Sequence, residues 1–344
     1  MRILASPAFV NEKVNPYNAL LYREINNIEP IVEEYSHKKS LLGPYDVLHF
    51  HWPDGFINAP HLIKALQRII LLALVVISTK ITGRKIVWTV HNITPHDAYH
   101  PRLSARFMEW FANRCDGYIF MSEENKAAFL AHYTLTKTPH NAIIPHGHYR
   151  TSYSTEVQKE SAKKLLGLPA DKKVLLCFGM IKPYKNVDRL ISVFRQAALD
   201  DYILVIAGTA DSATLSQQLK TSVEDAEDKI KLLLKFIPDE EVATYHSAAD
   251  IVILPYKAIL NSGALLLALS FNRPVIAPHI GAFITLQKEL GAAWIHSYTD
   301  DLDTHTLHQA IQSLESAQRS HICPLDNYAW GRLAQSTLQF YRAL

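Results

Sequence analysis

The feature that narrows this chain most is an alternation of short, continuous apolar runs with amphipathic stretches of helical length. In the first half the runs fall at residues 2–5, 47–51, 86–90, 117–121 and 142–144, with helical stretches at 18–28, 61–79, 103–114 and 123–132. In the second half the runs fall at 174–178, 203–207, 230–234, 251–254 and 274–277, with helical stretches at 186–198, 214–225, 239–248 and 263–270. Strands apolar on both faces belong in parallel sheets covered on each side by helices. The polar segment 151–164, TSYSTEVQKESAKK, separates the two sets and reads as a linker. At about 150 residues per domain, 344 residues make two. The boundaries expected are 1–155 and 156–328, with an apolar helix in 329–344 crossing back onto the first domain. The fold class is α/β: two Rossmann-like, doubly wound domains facing a central cleft, with ligands at the carboxyl ends of the strands.

Charge and cysteine usage remove several classes. Lys and Arg total 35 against 33 Asp and Glu, which argues against a nucleic-acid protein working by bulk charge. Cys115, Cys177 and Cys323 are too far apart for a zinc knuckle or a disulfide framework, which suits a reducing cytoplasm. No cluster has metal-ligand spacing, so no metal is expected. The start, MRILASPAF, reads as a first strand rather than a signal peptide. The most apolar segment, IILLALVVI at 69–77, lies within a region, 62–85, flanked by Lys64, Arg68, Lys80, Arg84 and Lys85. It reads as a buried helix, as an interfacial helix whose cations meet anionic headgroups, or as a span, for which it is short. Histidine is overrepresented: 17 in all, 11 of them within residues 1–160.

Two loops of the second half suit an anionic ligand. In VLLCFGMIKPYKN a strand ends at Gly179, and the loop that follows carries Lys182 and Lys185. Further on, Asn261, Ser262, Gly263 and Ala264 open an apolar helix. Asn261 or Ser262 can cap it, and the amides of Gly263 and Ala264 point out of a helix N-terminus, where anions are favoured. The order of these parts resembles the donor-binding domain of GT-B glycosyltransferases. The loop at 178–185, AGT at 207–209, FIPDEEVATYHSAADIVILPY at 236–256 and SGALLLALSFNRPVIA at 262–277 carry the resemblance. It implies that Lys182 and Lys185 hold a nucleotide diphosphate beside Gly179. It also implies that Phe236 and Ile237 contact the base, and that Tyr256, Asn261, Ser262, Gly263 and Ala264 complete the donor site. The substrate is then a nucleoside diphosphate sugar, with no further cofactor. Many retaining members carry two glutamates around the Ser-Gly helix, where this chain has Ile259 and Leu267. That departure implies either a different grip on the donor or an inverting branch of the family, and inversion is the reading favoured.

Inversion needs a base for the acceptor hydroxyl. Two strand-end loops of the first half offer one: DVLHFHWPDGF, with His49, His51, Trp52 and Asp54, and KIVWTVHNITPHDAYHPR, with His91, His96, Asp97 and Tyr99. Asp97 is the first choice for the base and Asp54 the second. His91 resembles the family histidine that meets the donor sugar. His51, Trp52, His96 and Tyr99 are expected on the acceptor. With the HWPD and TVHNITPHD loops, the chain most resembles bacterial exopolysaccharide β-mannosyltransferases of the xanthan and acetan type. GDP-mannose would be the donor and a polyprenyl-linked saccharide the acceptor, met peripherally at the inner membrane face through residues 62–85. A retaining transferase, a nucleotide-sugar epimerase and a noncatalytic saccharide- or lipid-binding protein are the alternatives.

Overall fold

The computed structural model describes residues 1–344 other than 14, 95–97, 154–156 and 260–262. The chain divides into two compact units, one made of residues 1–147 with 327–344 and the other of residues 148–326. The first unit holds strands β1 (Ile3–Ser6), β2 (Val32–Glu34), β3 (Val47–Phe50), β4 (Lys85–Thr89), β5 (Gly117–Phe120) and β6 (His140–Ile143), in the order β2-β1-β3-β4-β5-β6. The second holds β7 (Lys173–Phe178), β8 (Tyr202–Ala207), β9 (Ile230–Leu233), β10 (Ile251–Ile253), β11 (Val275–Pro278) and β12 (Ile295–Tyr298), in the order β12-β11-β10-β7-β8-β9. Every pairing is parallel. The strand order reverses between β1 and β3 and between β7 and β10. Ligands of such sheets bind at those switch points, outside the carboxyl ends.

Period-2 alternation divides the first sheet's residues between two cores. Leu48, Phe50, Ile86, Trp88, Tyr118 and Phe120 face helices Leu62–Ile81 and Pro101–Ala112. Val47, Val87 and Ile119 face helix Tyr17–Ile28 and the C-terminal helix Trp330–Arg342. The last stretch of the chain thus belongs to the first unit: Trp330, Leu333, Leu338 and Tyr341 are part of its core.

Some expectations need correcting. The segment read as a linker contains helix Lys159–Leu165, which packs on helix Asp239–Ala248. Its polar composition hid a buried Ala162 and a Lys163 whose ammonium reaches the carbonyls of Ala170 and Lys172. Strands β2 and β12 and helices Ala282–Leu290 and Thr304–Ser316 were not expected from the sequence. The two strands are edge strands, β2 only three residues long and interrupted by glutamate.

Helix Leu62–Ile81 is apolar on two opposite faces. Leu72, Val75, Val76 and Thr79 are buried against the first unit. Ile63, Leu66, Ile70, Leu74, Ile77 and Ile81, spaced three or four apart, form an exposed stripe on the other side. Its 20-residue length and the mean hydropathy of 2.0 over its most apolar 18-residue window suffice for a membrane span, and 28% of that window is buried. A helix committed along one face to a sheet cannot be surrounded by lipid, so the stripe, not the whole helix, is what meets solvent or an interface.

Candidate active site

At the second unit's switch point, β7 is followed by Gly179 at φ +103, a region that favours glycine. The loop then runs beside the one leaving β8. Ile181 donates to the carbonyl of Thr209 at 2.8 Å, and Asp211 to that of Ile181 at 2.9 Å. A Cβ on Gly208, whose φ is +147, would stand 2.1 Å from the Gly179 oxygen, so the two exits fit only as glycines. A 3-10 turn at Pro183–Lys185 and a left-handed Asn186 then launch helix Val187–Gln196. The loop after β10 joins this cradle, with the Lys257 amide donating to Tyr184 at 2.8 Å.

This geometry fixes two different lysines. Lys182 lies 3.7 Å from Asp211, a carboxylate that already balances it. Lys185 is half-buried. Its ammonium stands over the Tyr256 ring at 5.2 Å and makes no ion pair among the described residues. Burial lowers its pKa, and Lys182 adds to the fall. A half-buried cation without a counter-ion is costly unless an anion arrives. Tyr256, expected on the donor, instead lies buried beneath Lys185, so it supports the cation rather than facing a ligand. Of the expected base contacts, Phe236 is 70% exposed, whereas the Ile237 side chain is buried and offers no surface. Gly263 and Ala264 open helix Gly263–Ser270 as expected, while Asn261 and Ser262 lie outside the described residues. Leu267 is buried in that helix and Ile259 is half-buried, so neither supplies a hydrogen bond from its side chain.

In the first unit, β3 and β4 place four polar residues on one face. His49 and His51 alternate with Phe50, and Thr89 and His91 alternate with Val90, turning toward helices Tyr17–Ile28 and Trp330–Arg342. His51 Nδ1 and His91 Nε2 are 2.9 Å apart. His51 Nε2 and the Tyr22 hydroxyl are 2.5 Å apart, and that hydroxyl is 2.7 Å from His49 Nδ1. His49 also meets Tyr341 through Nδ1 at 2.5 Å and Thr89 through Nε2 at 2.8 Å. Burial drives His49 down to about 3 and His146 to about 4, and holds His51 and His91 well below the ordinary range. All four rings are therefore neutral at physiological pH.

The expected acceptor role of His51 needs correction: it is buried and both its ring nitrogens are engaged. His91 is the partly accessible end of the cluster, its ring stacked on Trp52 at 4.3 Å and met edge-on by Tyr17 at 5.0 Å. Asp54 sits in the first turn of helix Pro53–Ile57, half-buried, and Tyr99 is 60% exposed. His96 and Asp97 lie outside the described residues. Sequence reading missed Tyr17, Tyr22 and Tyr341. Strand alternation signals the shared face of the histidines, but nothing local marks their tyrosine partners. Among the described residues no group of three His, Cys, Asp or Glu is placed to hold a metal ion.

Comparison with known proteins agrees with this geometry. Residues 158–319 match the family model described as Glycosyl transferases group 1. The chain is 30% identical over 343 residues to the GDP-mannose:glycolipid 4-beta-D-mannosyltransferase of Xanthomonas campestris pv. campestris, covering 98% of this chain and 91% of that one. Among solved structures, HepE of Anabaena in complex with UDP-glucose superposes with a TM-score of 0.71 at 16% identity over the full length of both chains. A glycosyltransferase of Rickettsia africae superposes with a TM-score of 0.67 at 13% identity, covering 99% of this chain and 97% of that one. With two parallel-sheet units, the glycine and lysine cradle after β7 and a relative matched over nearly its whole length, the chain belongs to the group 1 glycosyltransferases of GT-B fold.

Proposed function

We propose that this enzyme transfers mannose from GDP-mannose, with inversion, to a lipid-linked saccharide in exopolysaccharide synthesis. The observation that carries the reading is Lys185, a half-buried cation with no ion pair among the described residues at the β7 switch point, in a chain related over its length to a GDP-mannose:glycolipid mannosyltransferase. In this scheme the second unit holds the donor. Lys185 and Lys182 meet the diphosphate, the Gly263 and Ala264 amides add donors, and Phe236 stacks on the base. The charge that grows on the leaving diphosphate is met by the same groups. The first unit supplies the acceptor side. The acceptor oxygen attacks the anomeric carbon as the bond to the diphosphate breaks, and its proton passes to Asp97, with Asp54 the second choice. His91 contacts the donor sugar, and Trp52 and Tyr99 the acceptor. No metal is required in this scheme, the cationic loop taking that role. The test is transfer itself: labelled mannose must move from GDP-mannose to a lipid-linked saccharide, and a failure with every mannosyl acceptor of that class overturns the assignment.

The exposed stripe of helix Leu62–Ile81 suits an acceptor held in a bilayer. Lys64, next to Ile63 at the start of the stripe, is exposed, as favoured at an anionic interface, whereas Arg68 donates to the Asn58 carbonyl and Lys80 pairs with Asp116. The proposed occupant is therefore the headgroup region of an anionic membrane, met peripherally from the cytoplasmic side. Replacing Ile70→Glu and Leu74→Glu together is expected to weaken vesicle binding about 30- to 100-fold, from the apolar area withdrawn. Sedimentation with vesicles of phosphatidylglycerol and phosphatidylethanolamine reads this. Equal sedimentation of the double variant and the parent would remove the stripe from the account.

A further inference from the structure

The face of β3 and β4 that carries His49, His51, Thr89 and His91 is a core face, built elsewhere from Val47, Val87 and Ile119. Aliphatic side chains at 49 and 51 would bury there at no polar cost. The chain instead keeps imidazoles and satisfies them from two helices, with Tyr22 from one and Tyr341 from the other. The result is one hydrogen-bonded series: Thr89, His49, Tyr22, His51, His91. Three elements supply it, β3, β4 and helix Tyr17–Ile28, with Tyr341 of the C-terminal helix joining at His49, and it ends on the ring that Trp52 and Tyr17 clamp by stacking and edge contact.

We propose that Tyr22 and His51 are positioning residues for His91, fixing which of its nitrogens carries the proton and how its ring is presented to the donor sugar. The inference rests on the reading of His91 as a sugar contact, and it adds the machinery behind that contact. A neutral imidazole has one N–H and one lone pair. Each ring in the series therefore donates on one side and accepts on the other. If Tyr22 donates to His51 Nε2, His51 donates from Nδ1 and His91 accepts at Nε2. If His51 donates to Tyr22, His51 accepts at Nδ1 and His91 donates from Nε2, while His49 Nδ1 is shared between the Tyr22 and Tyr341 hydroxyls. His91 is thus coupled to the Tyr22 hydroxyl, with which it shares no contact among the hydrogen bonds described. A buried network satisfied in this way is rigid, which is what a precisely oriented ligand contact requires.

The test is Tyr22→Phe, which keeps the ring and removes the hydroxyl. The ring nitrogen shifts of His91, assigned by difference against His91→Gln, should move although residue 22 shares no described hydrogen bond or ring contact with it. The kcat should fall about 10- to 100-fold, the scale of losing a partner behind a ligand-contacting histidine, with donor KM changed less than about threefold. The NMR readout needs no turnover, so it stands even if the proposed donor is wrong. Unmoved His91 shifts, or a kcat within about twofold of the parent, overturn the inference. If Tyr22→Phe does not fold, His51→Asn decides. Its amide can replace Nδ1 toward His91, so it must keep at least about fivefold more kcat than His51→Ala, and equal rates overturn the inference.

Discussion

At about pH 5.5 the first unit should be at least about 2 to 3 kcal/mol less stable than at neutrality, while most carboxylates are still ionised. The cause is the set of buried imidazoles. His49 protonates in the fold only near 3 and His146 near 4, and His51 and His91 are held well below their ordinary range of about 6.5, in each case first by burial. In the unfolded chain all four bind protons near pH 6.5. Below that value the unfolded state holds more protons than the folded one, so stability falls as pH falls. Each ring contributes about 1.4 kcal/mol per pH unit until its folded pKa is reached. Stability is therefore complete above about pH 6.5 and is lost progressively from there down to about pH 3, where His49 at last protonates in the fold. Four of the five tryptophans, Trp52, Trp88, Trp110 and Trp330, lie in this unit, so denaturant unfolding followed by tryptophan fluorescence reports it. An unfolding free energy unchanged between neutrality and about pH 5.5 would show that these rings are not held neutral.

The second large effect concerns Lys185. Lys185→Met keeps the alkyl stem over Tyr256 and removes the charge. Nucleoside diphosphate affinity should fall by about 1.5–3 kcal/mol, or about 10- to 150-fold, the worth of a hydrogen bond to a charged group. The unliganded protein should keep or raise its melting temperature, because the variant no longer confines a half-buried cation that has no ion pair among the described residues. Lys182→Met should cost less, since Lys182 is balanced by Asp211 at 3.7 Å. Calorimetric titration with GDP measures both. Affinity retained in Lys185→Met would place the diphosphate elsewhere.

The two halves of the candidate site differed in how far they could be read from sequence, and the reason is physical. The phosphate cradle is local. Gly179, Lys182, Lys185 and the helix at Val187 follow one strand without interruption, so one motif reports them all. The histidine series is not. Tyr22, His49, His51, Thr89, His91 and Tyr341 come from both ends of the first unit and meet only when β3, β4 and two helices pack. Alternation could pair the histidines but could not name the tyrosines, and it placed His51 on the acceptor where packing puts it behind His91. The central strands were legible because both their faces are apolar. Edge strands β2 and β12 were not, because their outer rows carry Glu33, His296 and Ser297. Helix Leu62–Ile81 was legible as apolar, but which face is buried is decided by Leu72 and Val76 meeting the sheet.

The anomeric configuration of the transferred sugar tests the central claim most directly. With GDP-mannose and a lipid-linked saccharide acceptor, NMR of the isolated product should show a β-mannosidic linkage formed in one displacement, and turnover should collapse in Lys185→Met. An α-linkage would contradict the inverting mechanism built on Ile259 and Leu267. Transfer undiminished in Lys185→Met would contradict the donor site itself.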